Sequence, residues 1–135
     1  MAEALKVKII TLNNIVPLEN VTKMFIKAKD GGLQIMPGHA SMIASTIPNI
    51  TVLEQADGKR IELFTSKGVV NVEKNQVTFC CDAAESKDDI DLERAKKAKN
   101  RAEERIKNPS NYDVERAKLA LARATLRIGL KESSK

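Results

Sequence analysis

The sequence predicts an α+β protein, a β-sandwich or flattened barrel followed by an antiparallel two-helix hairpin. Three observations lead there. As far as Cys81, apolar residues alternate with polar ones at period two. Turn signals interrupt this pattern roughly every 8–12 residues, the rhythm of a sandwich or barrel. From Ile90 the composition shifts to Ala, Lys, Arg and Glu, all good helix formers, with apolar residues every three or four positions. The boundary divides the chain into a body, residues 1–85, and an arm, residues 86–135.

In the body, Leu5, Val7 and Ile9 alternate with Lys6 and Lys8 in a strand reaching Leu12. A second strand is expected over Val21 to Lys29, with Thr22, Met24, Ile26 and Ala28 on one face and Lys23, Lys27 and Lys29 on the other. Pro17 and Asn20 are expected to break pairing before it. Asp30-Gly31-Gly32 is a strong turn signal. Shorter strands come next at Leu33 to Met36, Ile50 to Glu54, Arg60 to Thr65, Val69 to Val72 and Val77 to Cys81. Asp57-Gly58, Lys67-Gly68 and Lys74-Asn75 connect the last four.

In the arm, Ser86, Asp88 and Asp89 are N-cap candidates for a helix over about Ile90 to Ile106, and Asp91 and Glu93 place negative charge in its first turn. Its apolar stripe is Leu92, Ala95, Ala98, Ala102 and Ile106. Lys107-Asn108-Pro109-Ser110-Asn111 breaks the pattern, with Ser110 or Asn111 free to cap the second helix. The second stripe, Val114, Ala117, Leu121, Ala124 and Ile128, ends near Gly129 and Ser133-Ser134. So short a connection makes the helices antiparallel. Stripes this rich in alanine bury little area, which makes the arm a candidate for alternative dockings.

Composition narrows the function. No run approaches the roughly 18 apolar residues that span a bilayer, and the N-terminus lacks a secretion-signal layout, so a soluble protein made in the cytoplasm is expected. The formal charge of +5 lies entirely on the arm: residues 1–85 carry nine Lys/Arg against nine Asp/Glu, residues 86–135 fourteen against nine. A basic arm on a neutral body points to an acidic partner. Cys80 and Cys81 are adjacent, too close to staple a fold, and alternation turns one inward and one outward. The single histidine, His39, follows Pro37-Gly38 as a turn residue, without a neighbouring nucleophile or acid/base pair. No glycine-rich phosphate loop, zinc spacing or EF-hand is present, which argues against an enzyme and leaves no metal site. Low aromatic content and the absence of a nucleic-acid-binding signature argue against nucleic acid.

One constellation stands out. Arg94 and Arg101 share a face of the first helix, and Arg123 and Arg127 share a face of the second. Antiparallel pairing can bring the four guanidinium groups together, where a polyphosphate would neutralise them. Asp91 and Glu85 could orient an arginine or accept from a base amino group or ribose hydroxyl. The competing reading is a solvated, salt-bridged surface, since Glu103, Glu104 and Glu115 are interspersed.

Four segments carry a resemblance to a known family: Gly32-Leu33-Gln34-Ile35-Met36-Pro37-Gly38-His39-Ala40, Ser66-Lys67-Gly68-Val69-Val70-Asn71-Val72, Ala83-Ala84-Glu85 and Ile90-Asp91-Leu92-Glu93-Arg94-Ala95. In this order and at these distances, from about Leu5 to Leu130, the chain resembles the epsilon subunit of bacterial F-type ATP synthase. The resemblance implies a ten-stranded sandwich with a helical hairpin, a non-catalytic part of the rotating central stalk. The sandwich would dock on the gamma subunit and on the loops of the membrane c-ring, coupling rotation to ion flow. The hairpin would fold down, or extend toward the catalytic alpha and beta subunits and inhibit ATP hydrolysis. This places the protein peripherally at the cytoplasmic face of the bacterial cell membrane, without inserting into the bilayer.

The resemblance further implies that ATP binds the folded-down hairpin as a regulatory ligand, with no cofactor required. The matching residues are Glu85, Ile90, Asp91, Arg94, Ala95, Arg101, Arg123 and Arg127; Ile90 and Ala95 would seat adenine and the arginines would hold phosphates. Asp30, Gly32, Pro37, Gly38 and His39 fall on the c-ring-facing loop. Gln34 stands there in place of the family's usual glycine and Gly32 in place of a frequent acidic residue, so Asp30 is the candidate for the missing charge. The alternative is a purely structural coupling subunit whose arginines serve protein contacts only.

Overall fold

The computed structural model describes residues 3–108 and 113–133. The chain divides into two compact units between Ala84 and Glu85. Across the chain, the described residues form nine strands: β1 (Leu5–Ile10), β2 (Ile15–Ala28), β3 (Gly31–Ile35), β4 (Met42–Thr46), β5 (Asn49–Gln55), β6 (Arg60–Thr65), β7 (Gly68–Glu73), β8 (Gln76–Cys81) and β9 (Ala84–Ser86). Nine rather than ten are therefore seen. β4 was not expected: its alternation of Ile43, Ser45 and small residues is weak, and pairing with β7 supplies what propensity does not.

The first unit closes on itself. From β1 the sheet runs through β8, β7 and β4 to the long β2, and β2 pairs back onto β1. All these pairings are antiparallel except β1 with β8, which is parallel. The circuit closes through the two ends of β2, which makes the sandwich a flattened barrel. β2 also pairs with β3 and β5, and β6 extends β5. The alternation read from β1 puts Leu5, Val7 and Ile9 inside, where they meet Met24, Ile35, Leu53, Val70 and Phe79 in a buried core.

β2 corrects one expectation: it runs through Pro17 and Asn20. Pro17 pairs with Lys8, and only β1 flanks this half of β2, so the donorless nitrogen can face the unpaired edge. At Asn20 the chain takes φ 58°, and the register with β1 shifts by one residue between Leu18 and Val21. Asparagine tolerates this left-handed geometry, and the resulting bulge bends the strand rather than ending it. Lys74 and Asn75, at φ 48° and 62°, form the expected two-residue turn between β7 and β8.

Cys80 is exposed and Cys81 buried. Burial, with Asp82 and Cys80 nearby, pushes the Cys81 thiol from 9.0 up to about 11. Since the thiolate is the reactive form, native protein at neutral pH should react with one equivalent of a thiol reagent, and unfolded protein with two, measured by absorbance. The folded state holds the Cys81 proton more tightly than the unfolded chain. Its contribution to stability is whole below pH 9 and should disappear as pH rises toward 11, seen as a falling urea midpoint.

In the second unit a short 3₁₀ turn, Lys87–Asp89, precedes α1 (Leu92–Lys107) and α2 (Val114–Glu132). The expected cap positions are corrected. Ser86 and Asp89 close the 3₁₀ turn, with Ser86 Oγ donating to Asp89 Oδ2 at 2.9 Å. Helix α1 is instead capped by Asp91, whose Oδ1 accepts from the Arg94 backbone N–H at 3.1 Å, so the helix starts at Leu92 rather than Ile90. Asp113 caps α2 in the same way, while Ser110 and Asn111 lie outside the described residues.

The helices are antiparallel: Lys96 near the start of α1 reaches Glu132 at the end of α2, 3.7 Å away. Along the seam Ala95, Ala102, Ala117 and Ala124 are buried, flanked by half-buried Leu92, Ile106, Val114, Leu121 and Ile128. Each alanine methyl contributes only about 0.8 kcal/mol by burial, so the seam is close but weak. α2 passes through Gly129, against expectation. Leu130 is buried and Lys131 Nζ donates to the Lys87 carbonyl at 3.0 Å, anchoring a last turn that glycine alone would leave frayed. No helix of the described residues is long and apolar enough to cross a membrane.

Candidate functional site

The candidate site lies wholly in the second unit, in a cavity of about 310 Å³ at the start of α1. Seven of the eight residues assigned to nucleotide converge there: Glu85, Ile90, Asp91, Arg94, Ala95, Arg101 and Arg127. Ile90 and Ala95 are 4% and 5% exposed and present an apolar wall, while the arginines come from both helices. Arg123 does not line this cavity. It borders an adjoining one of about 600 Å³ further along the seam, which Arg101 and Arg127 also line.

Each polar residue is positioned by an identifiable local device. Arg127 Nε donates to Glu85 Oε1 at 2.7 Å, both side chains roughly a quarter to a third exposed. A partly exposed pair of this kind is worth on the order of 1 kcal/mol and serves to aim Arg127. Asp91 sets the start of α1 by capping it, which fixes the direction of Arg94 one turn on. Lys87 Nζ donates to the Ser133 carbonyl, and Lys131 returns the bond to Lys87, so the end of α2 is fastened beside Glu85.

Among the described residues, no carboxylate lies within ion-pair distance of Arg94, Arg101 or Arg123. Ion pairs of the competing salt-bridged reading are present within the cluster at Glu85–Arg127 and outside it at Lys96–Glu132 and Glu115–Lys118. Arg101 with Arg105, and Arg123 with Arg127, are like charges four residues apart on a helix, a spacing unfavourable by about 0.2–0.5 kcal/mol where no counter-charge offsets it, as Glu85 does for Arg127. An anion in the cavity would reverse that sign.

Sequence reasoning missed Asp89 and Ala98 in the first cavity and Arg105 and Arg116 in the second. The Ser86-x-x-Asp89 capping pattern could have located Asp89. The two arginines carry no local signal, because only the pairing of the helices brings them to the same groove.

In the first unit, the residues assigned to the c-ring are split by β3. Asp30 and Gly32 lie at its beginning, beside Gly31 at φ 140°. Pro37, Gly38 and His39 lie beyond its end, five residues from Gly32 at nearest and thus roughly 17 Å along an extended strand. The second group is held by Gly38 N donating to Asn75 Oδ1 at 2.8 Å and His39 N to the Met36 carbonyl at 3.1 Å.

The outer face of the barrel also carries an apolar band that the sequence did not single out. Val69 pairs with Cys80, Cys80 with Ile10, and Ile10 with Ile15, so the four side chains form one row across β7, β8, β1 and β2. Val69 is 45% and Ile15 57% exposed, and Ile43 on β4 is 73% exposed.

Fold and site together define a two-part subunit, a closed β body carrying an arginine-lined helical hairpin. Residues 4–87 match the model of the ATP synthase delta/epsilon chain β-sandwich domain, and residues 88–132 that of its long α-helix domain. The chain belongs to the ATP synthase delta/epsilon family, as an epsilon chain of the bacterial type, a non-catalytic subunit. It is 43% identical to the ATP synthase epsilon chain of Clostridium botulinum strain Eklund 17B over 132 residues, 98% of each chain. The epsilon chain of Clostridium kluyveri is 37% identical over 130 residues, 96% of this chain and 98% of that one. The fold is also found in the Euglena gracilis mitochondrial ATP synthase, with a TM-score of 0.76 and 20% identity over 87% of this chain and 75% of that one. A central stalk/c-ring structure from Tetrahymena thermophila matches at TM-score 0.54 and 12% identity, over 64% and 69%.

Proposed function

We propose that this chain acts in the central stalk of a bacterial F-type ATP synthase, at the cytoplasmic face of the cell membrane, as a coupling element with a nucleotide-sensitive brake. The observation that carries the proposal is the convergence of Ile90, Ala95, Arg94, Arg101 and Arg127 on one cavity. ATP would seat its base against Ile90 and Ala95 and its phosphates on the arginines, with Arg123 reached from the adjoining cavity. Glu85 would have to share Arg127 with the phosphates, and Asp91 would act through the helix start it caps as well as by any contact to the base.

The hairpin's weak alanine seam supports a switch. ATP that binds only the closed hairpin favours it by about 2.7 kcal/mol at a hundred times the dissociation constant. When ATP falls, the hairpin opens and its basic helices reach acidic segments of the alpha and beta subunits, stopping hydrolysis. The apolar band through Val69, Ile10 and Ile15 suits the gamma subunit, whereas the turns flanking β3 suit the polar loops of the c-ring.

The test is ATPase activity of an epsilon-depleted catalytic complex to which either the whole chain or residues 1–85 are returned. The shorter piece retains the entire buried sandwich core. Inhibition by the whole chain alone, relieved at high ATP, is the expected result. If both pieces bind and neither inhibits, the protein is a structural coupling element and the arginines serve protein contacts.

A further inference from the structure

The adjoining cavity has a lining that the nucleotide reading does not use. Its walls carry Arg105 and Arg116 in addition to Arg101, Arg123 and Arg127. Arg105 is eleven residues beyond Arg94 on α1, about 16 Å along the helix, too far for a triphosphate seated at Arg94 to reach. Asp113 is the only carboxylate among the described lining residues, and its Oδ1 accepts from the Arg116 backbone N–H as the cap of α2. Alanine lines it between the arginines, with Ala102, Ala117 and Ala124 buried, so arginines from both helices border one trough along the seam.

Such a trough suits a particular chemistry. Among the described lining residues there is no aromatic side chain or large apolar wall for a base, unlike the cavity beside Ile90. The trough offers repeated forked donors along a line, which match a thin anion with charge at regular intervals. We propose that the cavity binds linear inorganic polyphosphate longer than three phosphates, its chain lying along the helix seam from Arg101 and Arg127 to Arg105 and Arg116. The inference goes beyond the nucleotide reading and stands without it, because Arg105 and Arg116 are outside the ATP set. Polyphosphate held by arginines of both helices would then favour the closed hairpin.

Calorimetry on the full chain at fixed ionic strength tests this, with sodium tripolyphosphate, a medium-chain linear polyphosphate and a single-stranded oligonucleotide as probes. The medium chain should bind about tenfold or more tighter than tripolyphosphate, and the Arg105→Gln/Arg116→Gln double variant should lose that advantage. Arg94→Ala should leave affinity for the medium chain within about threefold. Circular dichroism checks the helices, and an Arg105→Lys/Arg116→Lys variant, which keeps the charge without the fork, should show an intermediate loss. Equal affinity of wild type and double variant for the medium chain overturns the proposal. So does an oligonucleotide that binds as tightly, since the face would then be a general polyanion surface. Polyphosphate binding without any ATP binding supports the proposal and removes the nucleotide reading alone.

Discussion

Arg94→Ala should weaken ATP binding to the full chain by roughly ten- to a hundredfold in calorimetry. A hydrogen bond to a charged group is worth about 1.5–3 kcal/mol, and among the described residues Arg94 has no carboxylate partner to compensate for. Asp91 allows a finer test, because it is the N-cap of α1. Asp91→Ala removes the cap, costing about 1 kcal/mol of helix stability, and should weaken ATP binding too. Asp91→Asn caps equally well, so its affinity separates the two roles. Retained affinity makes Asp91 a positioning residue, whereas loss makes it a direct partner of the nucleotide. Unchanged affinity in Arg94→Ala would sink the assignment of the site.

Gly68→Ala should destabilise the sandwich by about 3 kcal/mol or more, at the upper end of what overpacking costs. A Cβ at Gly68 would lie 2.0 Å from the Cys80 carbonyl oxygen and 2.8 Å from Cys81 Cα, both backbone atoms of β8 that cannot rotate away. The strain falls on the β7–β8 pairing, where Gly68 faces Cys81 at the end of the ladder. A drop in melting temperature of about 12 °C or more is expected in calorimetric scans. Gly32→Ala is the control: its Cβ would meet nothing within 4 Å, so its stability should stay within about 0.5 kcal/mol of wild type.

These two predictions differ in how visible their basis was in the sequence. Gly68 sits in the Lys67-Gly68 turn signal, but the need for glycine comes from β8, which the chain reaches only after a further turn. Arg94 was legible outright, because its seven-residue separation from Arg101 fixes a shared helix face whatever else the chain does. The Glu85–Arg127 pair joins residues 42 positions apart, and only the antiparallel return of α2 could reveal it.

The places where expectation and structure part have the same origin. Pro17 and Asn20 look like breakers locally, yet one partner strand and one bulge accommodate both. Gly129 looks like a helix stop, yet buried Leu130 and the Lys131–Lys87 bond carry α2 one turn further. β4 has too weak an alternation to be seen alone and exists because β7 pairs with it.

By itself the sequence determined the division near residue 85, the inward and outward faces of the strands, the alanine seam of the hairpin and the placing of all excess positive charge on the arm. Backbone period sets side-chain direction within an element, so these properties need no knowledge of distant residues. Only the tertiary structure decided that β1 closes the barrel by a parallel pairing with β8, and that Arg105 and Arg116 join the arginine groove. Those outcomes depend on which elements meet and in what register, a choice made by packing between residues far apart in the chain.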